Sequence, residues 1–222
     1  VQTCALPICL CPTEGFLPVF THRFAMYRGI IRKYGYHANE MSFITPPFII
    51  SILIALTIHE CAHGIVALWL GDPTAKHEGR LTLNPAAHLD LFGTLMFVMV
   101  GFGWAKPVPI DPRYFKGSVK RGITLTALAG PVSNLLLALL TVLIAKVVLA
   151  LHISAGPGVS RFFSELFSSM LFLNLGLMAF NLLPVAPLDG SKVLAMFIPP
   201  QYELQYEDYL RNGPRSEEHT SE

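Results

Sequence analysis

His59-Glu60-Cys61-Ala62-His63 sets two imidazoles four residues apart with a carboxylate beside the first. On a helix this spacing projects both histidines from one face, where neutral imidazole nitrogens can share one zinc ion at about 2.0–2.1 Å. Glu60 is offset around the helix. It is placed to act as general base toward water at the metal and then to pass the proton to a leaving amine. The pattern is short, and its bland reading is a few hydrogen-bonded polar residues between helices. The surroundings weigh against that reading. Ile49, Ile50, Ile52, Leu53, Ile54, Leu56 and Ile58 precede the motif, and Ile65, Val66, Leu68, Trp69 and Leu70 follow it. Ionisable groups at membrane depth cost about 2.5–3.5 kcal/mol each and usually face a polar, functional cavity. A bound metal would stabilise three of them within five residues.

A catalytic zinc wants a third protein ligand and an open position. The best donor lies far downstream, in Asn181-Leu182-Leu183-Pro184-Val185-Ala186-Pro187-Leu188-Asp189-Gly190. Pro184 and Pro187 must break any helix there, and irregular backbone at membrane depth is tolerated only when it is buried or lines a cavity. Asp189 therefore stands at an unwound end, able to reach a metal. Its bland role is to cap a following helix over 191–198. Cys61 reads as a small buried hydrophobe. His77 and His88 read as surface or interfacial histidines, and Asn134 as a hydrogen bond between helices.

Three segments can carry these residues across a bilayer, which takes roughly 20 apolar residues each. They are 43–70, 122–150 and 162–183. A fourth apolar run, 91–104, is 14 residues long with three glycines. It fits a re-entrant or interfacial piece better. If it does not cross, 71–121 lies on one side with Lys76, Arg80, Lys106, Arg113, Lys116, Lys120 and Arg121, while 152–160 has neither Lys nor Arg. The bias of cationic loops toward the cytoplasm then predicts an active site nearer that face. Gly79–Pro85 reads as a strand or turn, and Gly103–Ile110 as extended, since prolines disfavour helix at and before their positions. The fold class expected is an all-α integral membrane protein, a polytopic helix bundle with a short extended, β-like membrane-associated segment between its first and second spans.

Composition agrees. Of 222 residues, 52% are hydrophobic and 14% charged. The mean hydropathy is +0.50, which is on the membrane side of soluble averages. A formal net charge of +1 gives no nucleic-acid signal, and the cysteines Cys4, Cys9, Cys11 and Cys61 form no disulfide framework. Residues 1–8 and 215–222 can be encoded by complementary DNA strings, which points to translated adapter sequence. Residues 9–40 are then expected to be read-through, with Met41 a start. The core is expected over 41–200, and 201–222 as a truncated C-terminal segment.

HExxH in a first span, Ala129-Gly130-Pro131-Val132-Ser133-Asn134 opening the next, and N-x-x-P-x-x-P-L-D-G closing another resemble the site-2 protease family of intramembrane zinc metalloproteases. Gly71-Asp72-Pro73-Thr74-Ala75, Gly79-Arg80-Leu81-Thr82-Leu83-Asn84-Pro85 and Gly103-Trp104-Ala105-Lys106-Pro107-Val108-Pro109 resemble its compact prokaryotic branch without a PDZ domain. The resemblance covers about 41–200. It implies that His59, His63 and Asp189 bind Zn2+ and that Glu60 is the catalytic acid/base, with Asn181 holding the substrate strand or the oxyanion. It implies a multi-pass protein of a prokaryotic cell membrane that cleaves transmembrane protein substrates. The substrate would unwind and pair with Leu81–Leu83 or Val108–Ile110. The rival readings are a catalytically silent membrane scaffold using the same pocket, and a metal-ion transporter. No nucleic-acid partner is expected, and neither substrate identity nor oligomeric state is legible.

Overall fold

The computed structural model describes residues 45–100, 103–151 and 156–212. The expectations for 1–40 and 215–222 lie outside the described residues. Three helices are long and apolar enough to cross a membrane: α1 Pro46–Leu70, α4 Val119–Ala150 and α5 Pro157–Asn181. At 1.5 Å per residue, the 25 residues of α1 extend about 37 Å, enough for a hydrocarbon core of about 30 Å. The chain is a polytopic all-α bundle, as its sequence leads one to expect.

Local chemistry sets each helix end. The Thr45 side chain accepts from the Phe48 amide, and Pro46 and Pro47 supply a preset first turn to α1. Gly71 closes α1 at φ +112°, a left-handed conformation that favours glycine. A Cβ on Gly71 would also lie 2.8 Å from the Tyr114 carbonyl oxygen. Ser118 caps α4 through the Arg121 amide. Helix α5 ends at Asn181, three residues before Pro184, and the chain runs irregularly to the short helix α6, Asp189–Ala195. A last described helix, α7 Glu203–Asn212, is tied to α6 by Tyr206 Oη donating to the Ser191 carbonyl at 2.6 Å.

Helices α1, α4 and α5 pack mutually, and α6 leans on α4. Both α1 and α5 run in the same direction, and Ser51 Oγ joins them by donating to the Leu166 carbonyl at 3.4 Å. Between α1 and α4 lie the one-turn helix α2, Thr74–His77, and helix α3, Leu91–Val100. Leu89 pairs with Ala105 in an isolated antiparallel bridge, so the chain enters and leaves α3 at one place. Meanwhile Phe97 stacks on Phe48 near the start of α1, with ring centroids 6.4 Å apart. The two ends of this segment thus lie side by side. It closes tightly: a Cβ on Gly93 would run into the Trp104 carbonyl, and one on Gly103 into the Gly93 carbonyl.

Residues 103–111 are extended, and among the described residues they pair only in isolated bridges, Leu89–Ala105 among them, and not as a strand. Instead, side chains hold the segment. The buried Asp72 accepts from the Thr74 amide at 2.9 Å and the Asp111 amide at 2.7 Å. The Lys116 amide donates to the Leu70 carbonyl at 2.7 Å. The segment is thereby fastened beneath the C-terminal half of α1, where the histidines lie.

Candidate metal centre

His59 and His63 turn inward from α1, and Asp189 meets them from the first turn of α6; all three are at most 1% exposed. His59 Nε2 and His63 Nε2 are 3.1 Å apart, and Asp189 Oδ2 lies 3.4 Å from the first and 3.2 Å from the second. Ligands at about 2.0–2.1 Å around a tetrahedral ion stand about 3.3–3.4 Å from one another, so the triangle has the dimensions of three corners of a zinc site. Neither Asp189 oxygen has a hydrogen-bond donor among the described residues. Lys192 Nζ is near Oδ1 alone, so Oδ2, the oxygen facing both imidazoles, is costly to bury without a further cation. The donor set and its spacing fit a metal.

The groups behind the ligands are equally specific. His59 Nδ1 donates to Asn134 Oδ1 at 2.8 Å, and His63 Nδ1 donates to the Thr126 carbonyl at 2.7 Å. An amide oxygen and a carbonyl can only accept, so both rings carry the proton on Nδ1 and leave the Nε2 lone pairs for the ion. Lys192 Nζ stands 3.6 Å from Asp189 Oδ1.

Space for the centre comes from Gly130 on α4. A Cβ there would lie 2.5 Å from His59 Cε1 and His63 Nε2, and 2.6 Å from His59 Nε2. Only hydrogen at this position lets α4 approach the two imidazoles. The next residue, Pro131, is also buried within α4.

Glu60 is buried beside the ligands, and its Oε2 accepts from the Val108 amide at 3.0 Å. Asn181 is fully buried. Its Nδ2 donates to the Leu177 carbonyl at 2.9 Å, and its Oδ1 has no partner among the described residues. Asp189 does not cap α6: the N-cap residue is Leu188, with no side-chain cap hydrogen bond.

A comparison with curated proteins finds relatives over most of the chain. YwhC of Bacillus subtilis (strain 168), which carries the name "Putative zinc metalloprotease", is 43% identical over 157 residues, 71% of each chain. The chain belongs to the site-2 protease family. Rip2 of Mycobacterium tuberculosis (strain ATCC 25618 / H37Rv), named in the same way, is 30% identical over 155 residues. Rip2 of Mycolicibacterium smegmatis is 28% identical over 154 residues. The match to Rip2 takes in 67% of this chain and 56% of Rip2, so the chain spans little more than half of that relative's length. No family model matches, and no solved structure does.

For this site-2 protease family member, His59, Glu60, His63, Asn181 and Asp189 are all buried, and three of them, His59, His63 and Asp189, bring their donor atoms together. Asn134 forms the interhelical hydrogen bond its type suggests, onto His59 itself. Cys61 is buried, and its Sγ donates to the Thr82 carbonyl at 2.9 Å. His77 is exposed as expected, but His88 is not. His88 is 1% exposed, with Nε2 on the Thr82 carbonyl at 2.8 Å, because the Leu89–Ala105 bridge draws its backbone inward. The Val108 edge offered for substrate pairing is already engaged: its N–H goes to Glu60, and Val108 and Ile110 are buried. The sequence reading gave no site role to Gly130 or Thr126, and took Val108 for a substrate edge and not for the partner of Glu60. Gly130 carried a signal in Ala129-Gly130-Pro131, a small-residue helix contact. The other two act through backbone atoms, which leave no mark in the side-chain alphabet.

Proposed function

We propose that the protein is a zinc-dependent intramembrane endopeptidase that cleaves peptide bonds in or near the transmembrane segments of other proteins. The observation that carries this reading is the triangle of His59, His63 and Asp189 donor atoms, 3.1–3.4 Å on a side, inside helices apolar enough to span a bilayer. The names of YwhC and Rip2 support zinc as the ion. His59, His63 and Asp189 would hold the zinc, which would supply Lewis acidity toward a scissile carbonyl and toward water.

The chain's own groups do the rest. Glu60 accepts a proton from the attacking water on its carboxylate and passes it to the leaving amine nitrogen. The Val108 amide fixes Oε2 of that carboxylate, so the base is oriented before substrate arrives. Asn134 and the Thr126 carbonyl hold the imidazoles in the ligating tautomer. Asn181 has its amide hydrogens turned to the Leu177 carbonyl, and its free atom is the acceptor Oδ1. That suits an N–H of an extended substrate better than an oxyanion. An unwound substrate could pair with Leu81–Leu83 through the backbone groups left there, the Thr82 carbonyl being taken by Cys61 and His88. The cationic residues between α1 and α4 support an active site nearer the cytoplasmic face of a prokaryotic cell membrane.

Glu60→Gln tests the assignment in detergent with a single-span reporter substrate. The variant should hold zinc at the wild-type ratio and lose cleavage. Retained cleavage refutes the role of Glu60. A wild-type protein that binds zinc but leaves every reporter intact favours the silent-scaffold reading.

A further inference from the structure

Glu60 is reached by a chain of hydrogen bonds that begins 20 residues away in sequence, at Arg80. The Arg80 side chain is buried, 7% exposed, and its Nη2 donates to the carbonyl oxygens of Lys106 at 2.8 Å and Pro107 at 3.2 Å. The Pro107 carbonyl and the Val108 N–H are the two ends of one peptide group. The N–H end donates to Glu60 Oε2 at 3.0 Å. One planar amide thus lies between a guanidinium on its oxygen and a carboxylate on its nitrogen. Each contact polarises the amide in the sense that strengthens the other.

Nothing else about this peptide group needs a cation. The extended segment is already secured by the Lys106 amide on the His88 carbonyl at 2.8 Å and by Asp72 on the Asp111 amide. Val108 is fully buried, against the face of α1 where Gly64 leaves room: a Cβ on Gly64 would lie 3.1 Å from Val108 Cγ1. Burying a guanidinium for two carbonyl contacts, with its Nε left without a partner among the described residues, is a costly way to fasten a loop.

We propose that Arg80 is a positioning residue for the hydrolytic reaction, acting on Glu60 through the Pro107–Val108 peptide bond. It holds that amide rigid and polarised, so that Val108 N–H fixes the carboxylate in the orientation from which it takes and returns a proton. The inference rests on the role given to Glu60 above.

The test compares Arg80→Met, Arg80→Lys and Glu60→Gln in the full chain, reading zinc content, kcat and KM on a single-span reporter, and the Val108 amide proton shift in selectively 15N-valine-labelled protein. Hydrogen bonds involving charged groups are the stronger ones, so Arg80→Met should lower kcat by about tenfold with KM within about twofold. Zinc content should stay at the wild-type ratio, and the Val108 amide proton should move upfield. Arg80→Lys, which can still donate to a carbonyl, should recover most of kcat and of the shift. Unchanged kcat in Arg80→Met overturns the proposal, as does a loss expressed only in KM. A loss of zinc or of folding that Arg80→Lys does not rescue overturns it too, because Arg80 would then be structural. Cleavage by Glu60→Gln would instead defeat the reading of Glu60, an outcome separate from any result at Arg80.

Discussion

Gly130→Ala adds one methyl group to the wall of the metal centre, and the geometry fixes what it must do. The new Cβ would lie 2.5 Å from His59 Cε1 and His63 Nε2 and 2.6 Å from His59 Nε2. Non-bonded carbon contacts are comfortable at about 3.5–4.0 Å, so the imidazoles or the whole of α4 must retreat by about 1 Å. The rings cannot swing aside independently, because Asn134 and the Thr126 carbonyl anchor their Nδ1 atoms at 2.8 and 2.7 Å. A metal site tolerates ligand displacements of only about 0.2 Å. Changing the partner behind a ligand typically costs 10–100-fold in affinity, and moving the ligands themselves should reach about 100-fold. The assay is zinc per chain by elemental analysis after equilibration with graded chelator, with reporter cleavage alongside. Gly176→Ala is the control: a Cβ there meets nothing within 4 Å, and alanine favours a helix interior by up to about 1 kcal/mol. Gly176→Ala should bind zinc as the wild type does. Undiminished zinc affinity in Gly130→Ala would refute the claim that glycine is required for α4 to close on the ligands.

Two further outcomes are expected. Asn134→Ala should weaken zinc by about 10–100-fold, since it strands a buried Nδ1–H and frees the ring to rotate; a chelator titration with wild-type affinity would count against that account. Outside the spanning helices, the hydrogen bonds from the Arg113 side chain, then its amide, bring the partly exposed Asp111 carboxyl from 3.8 down to about 2. A lowered carboxylate pKa means the folded state favours the charged form. The contribution is therefore present above pH about 4 and lost as pH falls through about 2. A 13C titration should find Asp111 near that low value, and Arg113→Ala, which keeps the residue 113 amide but removes the guanidinium, should raise it part of the way to the ordinary one; an unmoved titration would show that the ion pair is not its cause.

The sequence by itself determined the membrane character, the three spans, the candidate donor residues and the break after Asn181. Those features are local. Hydropathy over some twenty residues, the four-residue helical repeat and proline's lost amide act within a short stretch of chain. Tertiary structure alone decided how the donors are held. Asn134 meets His59 across 75 residues, the Thr126 carbonyl meets His63 across 63, and Val108 meets Glu60 across 48. Two of those three partners are backbone atoms, identical in every non-proline residue, so no reading of side-chain types can select them. The same limit explains His88 and the missing β-ladder. Whether an extended segment pairs, turns inward or takes its hydrogen bonds from Arg80, Asp72 and Glu60 depends on what the folded helices bring beside it. Gly130 stands between the two cases: its smallness is written in the chain, but the imidazoles that require it lie on another helix.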